Sequence, residues 1–166
     1  MRLIIKYFLI ILLFIVIPIH ANEYKGVVIK VVDGDTLHVR LDDGMTKKVR
    51  LRYIDAPEIK QLFGKKSTKF LKDNALGKTV IVNTEYKGKY KRDIGDIFIY
   101  DDNVAVYINA KLIKSGNAWV YKKYRENNYL MNLENYAKKN KLGLWEKGNP
   151  LEPWKCRELQ RKKLKC

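Results

Sequence analysis

Hydrophobic and polar residues alternate along much of the first part of the chain, which is the pattern of β-strands buried on one face. Residues 24–40 are rich in β-branched side chains, and the Asp-Asp-Gly at 42–44 predicts a hairpin that leads into a strand over 45–54. Two more strands are predicted over 78–86 and 93–100. Because the first run is interrupted near its middle, the pattern predicts five short strands, which favours a small barrel.

Helical periodicity replaces this alternation in three later segments. The spacing predicts helices over residues 65–75, 103–114 and 126–142. Gly77 follows the first of these segments and Gly143 follows the third, as expected where helices end. Strands and helices together predict an α+β fold, with a five-stranded barrel and about three packed α-helices.

The N-terminal segment has the composition of a secretory signal peptide. Basic residues precede an apolar run over 8–19, and Ala21 supplies a small residue at its end. A retained membrane anchor is the alternative, but a spanning helix needs ~20 apolar residues, and this run is shorter and contains Pro18. We therefore expect residues 1–21 to be cleaved and the protein to be secreted or periplasmic.

The rest of the chain has the length of one domain with its own core. We assign residues 22–147 to this domain and residues 148–166, which are rich in basic residues, to a C-terminal tail. Cys156 and Cys166 both fall in the tail, so a local disulfide bond is the simplest expectation in an oxidising compartment. Two free thiols or a bond between chains are the alternatives.

An excess of positive charge narrows the possible partners and reactions. The chain holds 34 lysines and arginines against 18 acidic residues, a formal net charge of +16, which attracts polyanions such as nucleic acid or an anionic membrane. Outside the predicted signal peptide the only histidine is His38. One histidine excludes mechanisms that need two, and no Ser-His-Asp or Cys-His arrangement is evident. A hydrolase built on this chain must therefore use carboxylates and arginines.

Carboxylates and an arginine fall at the predicted ends of neighbouring strands. Asp33 and Asp35 flank a glycine where the first strand run is interrupted, and Arg50, Asp55 and Glu58 lie at the end of the next strand and in its exit turn. Converging carboxylates bind a hard cation through oxygen, a glutamate can take a proton from water, and an arginine can neutralise a phosphorane. The alternative explanations are an ordinary turn at residues 33–35, a helix start at residues 55–58, and a basic surface that includes Arg50.

The combination of these motifs resembles a known family. Val-Val-Asp-Gly-Asp-Thr at residues 31–36, followed by Val-Arg-Leu-Arg-Tyr-Ile-Asp-Ala-Pro-Glu at 49–58, is similar to the leading pair of motifs in the staphylococcal nuclease-like (thermonuclease) family. Three shorter matches follow in the family's order, at residues 89–92, 116–121 and 144–145. The resemblance covers about residues 24–145, and it implies an oligonucleotide/oligosaccharide-binding (OB) barrel with helices packed beside it.

The resemblance also implies a metal site and a set of catalytic groups. A calcium ion (Ca2+) would be bound by Asp35, Asp55 and the main-chain carbonyl of Ala56, where the family often has threonine. Glu58 would orient or deprotonate the attacking water.

Two arginines, Arg50 and Arg92, would hold and neutralise the scissile phosphate. The match at Arg92 is looser, because Lys91 and Asp93 stand where the family often has glycine. Asp93 or Asp96 could therefore pair with Arg92 and reduce its charge.

Substrate contacts follow from the same resemblance. Tyr90 and Tyr121 would flank the nucleotide, and Lys89 and Lys91 would follow the phosphates. The expected function is hydrolysis of single-stranded or frayed DNA and RNA with little sequence preference, leaving 3′-phosphate ends, by a monomer with no obligate protein partner. A non-catalytic nucleic-acid-binding OB-fold protein and a basic secreted protein whose tail binds anionic surfaces are the alternatives.

Overall fold

The computed structural model describes residues 23–87, 92–101 and 104–166. The strands in these ranges are β1 (Glu23–Asp33), β2 (Thr36–Arg40), β3 (Thr46–Leu51), β4 (Ile54–Asp55), β5 (Thr79–Lys87), β6 (Asp93–Asp101), β7 (Val104–Tyr107) and β8 (Trp119–Val120). The α-helices in the same ranges are α1 (Gly64–Ala75), α2 (Ile108–Lys114), α3 (Asn128–Lys139) and α4 (Pro153–Arg161).

Five strands close into a barrel. Hydrogen bonds join them in the order β3-β2-β1-β5-β6, and a parallel pairing of β3 with β6, in which Arg50 lies opposite Ile94, completes the circle. The alternation predicted for β3 is present, because Val49 and Leu51 are buried while Arg50 between them faces the other side. The predicted α+β fold with a five-stranded OB barrel is confirmed.

The segment predicted as a helix over residues 103–114 is only half helical. Its first part is strand β7, which pairs antiparallel with β6 so that Phe98 lies opposite Tyr107, and only the second part forms α2. Val104 and Val106 are β-branched, and such residues favour strands over helices. The predicted helix over 126–142 is likewise shorter, because α3 begins only after Asn127, whose side chain accepts a hydrogen bond from the N–H of Leu130 at 3.1 Å.

Residues 148–166, which the sequence assigned to a tail, contain helix α4, the fourth helix of the described ranges. Pro153 occupies its first turn, where a missing N–H costs nothing. Pro153 and Cys156 are buried, and Trp154 packs against a cluster that includes Trp119 and Trp145. A disulfide bond joins Cys156 to Cys166. Within the ranges that the structure describes, no helix has the length and apolar character that a membrane span requires.

Candidate active site

The Asp-Gly-Asp motif forms the tight connection between β1 and β2, where Asp33 pairs with Thr36. The N–H of Asp35 donates to the Asp33 carboxylate at 3.1 Å, which is the turn-supporting role that short acidic side chains often play. Thr36 donates its hydroxyl to Asp35 at 3.0 Å. The Asp35 carboxylate is therefore buried and held in one orientation.

Arg50 links the two aspartates that the sequence singled out. In the ladder between β2 and β3 it lies opposite Thr36, next to Asp35. Its Nη1 contacts Asp35 Oδ1 at 2.5 Å and its Nη2 contacts Asp55 Oδ1 at 2.7 Å. Such charge-assisted contacts from one planar guanidinium fix the relative position of both carboxylates.

A bend after β3 places Asp55 next to Arg50. Tyr53 adopts a left-handed backbone conformation, with φ of 69°, and its carbonyl accepts a hydrogen bond from the N–H of Tyr121 at 2.8 Å. The chain then enters β4, where Asp55 pairs with Trp119 of β8. The N–H of Ala56 donates to Asp35 Oδ2 at 3.0 Å, which joins the two motifs directly.

A cavity of about 460 Å³ opens beside these carboxylates. Asp35, Arg50, Glu58 and Arg92 line it, together with Ala56, Asp33 and Tyr121. Asp55 does not line the cavity, because its side chain is fully buried under guanidinium groups. Among the described residues, the structure thus brings together candidates from four separate stretches of the chain, which lie around Asp35, around Arg50 to Glu58, at Arg92 and at Tyr121.

Neither acidic neighbour neutralises Arg92 in the described part of the chain. Asp93 instead accepts a hydrogen bond from Tyr24 at 2.8 Å, and Asp96 accepts one from Tyr107 at 2.6 Å and pairs with Arg52. Nε of Arg92 is buried and has no hydrogen-bond partner among the described residues. A buried cationic donor of this kind at a cavity wall is suited to an anionic ligand.

Burial and the negative charge of Asp35 raise the pKa of two carboxyl groups at this site, Asp33 and Asp55. Burial, with the nearby charge of Asp35, raises the pKa of Asp33 to about 6. Burial also raises the pKa of Asp55. For Arg50, burial opposes the charged form, but Asp35 and Asp55 outweigh it and raise the pKa of the guanidinium. Burial therefore disfavours the charged form of Asp33 and Asp55, whereas the two aspartates that contact Arg50 favour its charged form.

Oxygen donors with poorly solvated negative charge fit a hard divalent cation. Asp35 lines the cavity, Asp55 lies beside it under the guanidinium groups of Arg50 and Arg157, and the N–H of Ala56 donates to Asp35. No three histidine, cysteine or acidic side chains in the described ranges converge into a preformed metal cluster. Two carboxylates and water would therefore be the expected ligands, and this donor set suits calcium better than a metal that prefers nitrogen or sulfur.

The sequence did not single out Arg157, which lines the same cavity. From α4 it contacts Asp55 at 2.6 Å and Glu58 at 2.7 Å. One signal was available, because Glu152-Pro153 is a typical helix start and a helix there places residues 153, 156 and 157 on neighbouring positions of one face.

The predicted substrate residues divide into two groups. Tyr121 lines the cavity and its ring lies edge-on to that of Trp154, with centroids 6.0 Å apart. Lys89, Tyr90 and Lys91 lie outside the described residues, so their roles stay predictions.

Comparison with known proteins identifies relatives over most of the chain. A family model described as "Staphylococcal nuclease homologue" matches residues 48–147. An "Uncharacterized endonuclease" of Escherichia coli O157:H7 is 36% identical over 149 residues, which cover 90% of this chain and 95% of that protein. A protein of the same description from Haemophilus influenzae is 37% identical, over 79% of this chain and 72% of its own length. A "Micrococcal nuclease" of Shigella flexneri is 33% identical, over 81% of each chain.

Proposed function

The chain belongs to the staphylococcal nuclease homologue family, and from this premise we propose that it is an exported, calcium-dependent endonuclease acting on DNA and RNA with little sequence preference. Its family and its relatives support a nuclease, which is a hydrolase with nucleic acid as substrate. The metal, the products and the export are the parts that we add. The observation that carries the proposal is the Arg50 bridge between Asp35 and Asp55, beside a cavity that Glu58 and Arg92 also line.

Asp35 and Asp55 would hold the calcium ion, with the carbonyl of Ala56 as a further oxygen donor. When bound, the ion would supply positive charge beside the scissile phosphate. Arg50 lines the cavity from β3, and Arg92 lines it from the position just before β6, so they can donate to different oxygens of one phosphate. Planar guanidinium donors that are already positioned stabilise the charge of a five-coordinate phosphorus without reorganising during the reaction.

Glu58 is the candidate general base. Its carboxylate lines the cavity and is partly exposed, with a side-chain accessibility of 38%, so water can reach it. Its N–H donates to the side chain of Gln61 at 3.2 Å, which holds the turn that carries it. Glu58 would take a proton from water as the water oxygen bonds to phosphorus. The bond to the 5′ oxygen then breaks and that oxygen takes a proton from solvent, which leaves a 3′-phosphate and a 5′-hydroxyl.

Single-stranded or frayed nucleic acid is the substrate that we propose. Tyr121 at the cavity wall offers an aromatic face, and base stacking of this kind tolerates any sequence. The net charge of +16 favours polyanion binding at low salt. Recognition through stacking and charge, with no base-specific donors required, agrees with low sequence preference.

The primary test measures digestion of single-stranded DNA and RNA by the purified chain with calcium, and then with a chelator. We expect activity with calcium and its loss on chelation. Glu58→Gln and Arg50→Ala should each lower turnover by roughly 10²-fold or more, while Glu126→Gln, an exposed glutamate outside the cavity, should leave it unchanged. Undiminished digestion in chelator would refute the calcium requirement. Oligonucleotide binding without any cleavage would favour the non-catalytic alternative.

Export and assembly are proposed on separate grounds and are tested separately. The apolar run and small residue before Asn22 support cleavage at that point, and mass spectrometry of protein recovered outside the cytoplasm should find a mature chain that begins at Asn22. A full-length chain retained in the cytoplasm would overturn the export proposal. We expect light scattering to give the mass of a monomer.

A further inference from the structure

Helix α4 is fastened beside the candidate active site. Gln61, which follows Glu58 by three residues, donates its side-chain amide to the carbonyl of Leu151 at 2.5 Å. Trp154 packs edge-on against Tyr121 of the cavity wall. The C-terminal segment therefore has a defined position relative to the cavity, and this position places Arg157 at the carboxylates.

Arg157 makes a forked contact with two acidic side chains that the proposed mechanism uses. Its Nη2 contacts Asp55 Oδ2 at 2.6 Å, while its Nη1 contacts Asp55 Oδ1 at 3.1 Å and Glu58 Oε1 at 2.7 Å. Asp55 is fully buried, whereas the side chain of Arg157 is 36% exposed. A cation with a solvent-exposed side can leave such a contact without being trapped in the interior.

Both oxygens of Asp55 are occupied by guanidinium donors. Oδ1 accepts from Arg50 at 2.7 Å and from Arg157 at 3.1 Å, and Oδ2 accepts from Arg157 at 2.6 Å. A divalent cation on the same carboxylate would replace one of these donors or lie close to its positive charge. Arg50 bridges Asp35 and Asp55 and its side chain is only 20% exposed, whereas Arg157 contacts Asp55 alone of the two aspartates. Arg157 is therefore the donor that can leave without separating the two aspartates.

We propose that Arg157 is an internal counter-cation that competes with the divalent metal for Asp55 and Glu58, and that it thereby sets the metal affinity of the site. This inference rests on the metal site of the proposed function. Because coupling between two binding events is reciprocal, metal binding weakens the contact of Arg157, and the contact of Arg157 weakens metal binding.

Calcium titration calorimetry on the full chain, without nucleic acid, tests the competition directly. We expect Arg157→Ala and Arg157→Gln to bind calcium about tenfold more tightly than the wild type, equivalent to about 1.4 kcal/mol. Arg161→Ala is the matched control, because it removes the same charge from an exposed position one turn further along α4. Its calcium affinity should stay within about twofold of the wild type, since exposed charges are screened.

Thermal unfolding in chelator and in saturating calcium separates competition from a purely structural role. The two Arg157 variants should unfold at a lower temperature than the wild type in chelator, and calcium should raise their unfolding temperature by more than it raises that of the wild type. An equal loss in both conditions would show that Arg157 only stabilises the fold, and would overturn the inference.

The remaining outcomes distinguish this inference from the proposed function. If the wild type binds calcium and the Arg157 variants bind it equally or more weakly, the competition is refuted and the metal site stands. If neither the wild type nor the variants bind calcium, the competition and the metal site of the proposed function are both refuted. Should both variants fail to fold, hydrogen exchange of the unmodified chain decides, because calcium must accelerate exchange in residues 153–161, and unchanged or slower exchange there would refute the competition.

Discussion

Replacing Gly34 with alanine should damage the candidate active site without touching any of its charged groups. An ideal Cβ at Gly34 would lie 2.2 Å from Oγ of Ser67 and 2.7 Å from Cβ of Ala56. Ser67 is fully buried and donates its hydroxyl to the carbonyl of Asn117 at 2.6 Å, so it cannot rotate away without losing that bond. The added methyl is therefore roughly 1 Å too close to its neighbours.

Overpacking of this kind costs about 1–3 kcal/mol of unfolding free energy. The turn must move to relieve it, and Asp35, the next residue, is held to the N–H of Ala56 by a 3.0 Å bond. A shift of about 1 Å in a catalytic or ligand group can lower turnover by about 10²-fold. We expect Gly34→Ala to show both effects, measured by urea unfolding and by digestion of single-stranded DNA with calcium.

Two further variants make this reasoning refutable. Ser67→Ala in the Gly34→Ala background removes the 2.2 Å contact, so the double variant should lose about 1 kcal/mol less than the sum of the single losses. Gly44→Ala is the control, because Gly44 has φ of +83° with nothing within 4 Å of an added Cβ. It should cost about 1 kcal/mol from backbone strain and leave turnover unchanged. Wild-type stability and turnover in Gly34→Ala, or strict additivity in the double variant, would contradict the steric argument.

Two other predictions concern the segment that carries Tyr121, the tyrosine for which we propose a substrate contact. Glu134 is fully buried and accepts a hydrogen bond from the N–H of Val120 at 2.8 Å. Glu134→Ala should therefore lower the unfolding free energy by about 2 kcal/mol, whereas Glu134→Gln keeps an acceptor and should lower it less. Equal urea midpoints for the two variants would contradict this expectation. Tyr121→Ala should raise KM for single-stranded DNA by about tenfold with little change in kcat, because a stacked base contributes about 1–3 kcal/mol. Tyr121→Phe keeps the ring and should retain the wild-type KM; a similar rise in both variants would argue against stacking.

Much of the barrel could be predicted from local pattern, because buried and exposed side chains alternate between neighbouring residues of a β-strand. Val49, Arg50 and Leu51 show this directly, with buried residues on either side of an arginine that faces the other way. The segment over residues 103–114 could not be resolved in the same way. Its strand β7 depends on pairing with β6, and a pairing partner is a property of the fold rather than of the segment.

The candidate site was likewise predictable in part from the sequence and in part only from the tertiary structure. The order and spacing of Asp35, Arg50, Asp55 and Glu58 are enough to indicate a shared site, since each lies at a strand end or exit turn that a barrel brings to one side. Arg92 lines the same cavity. Its freedom from Asp93 and Asp96 in the described part of the chain depends on tertiary contacts, because tyrosines from β1 and β7 and an arginine after β3 hold those two acids.

By itself, the sequence determined the family, the barrel and the residue types available for chemistry, because these depend on short motifs and on the periodicity of adjacent positions. Only the tertiary structure decided that the C-terminal segment forms a helix at the site, and that Arg157 contacts Asp55 across 102 positions of the chain. The physical reason is that the position of Arg157 depends on the packing of α4 against the domain, which Trp154 and Pro153 make. The local helix signal places Arg157 on the same face as Pro153 and Cys156, but it does not show which part of the barrel that face contacts.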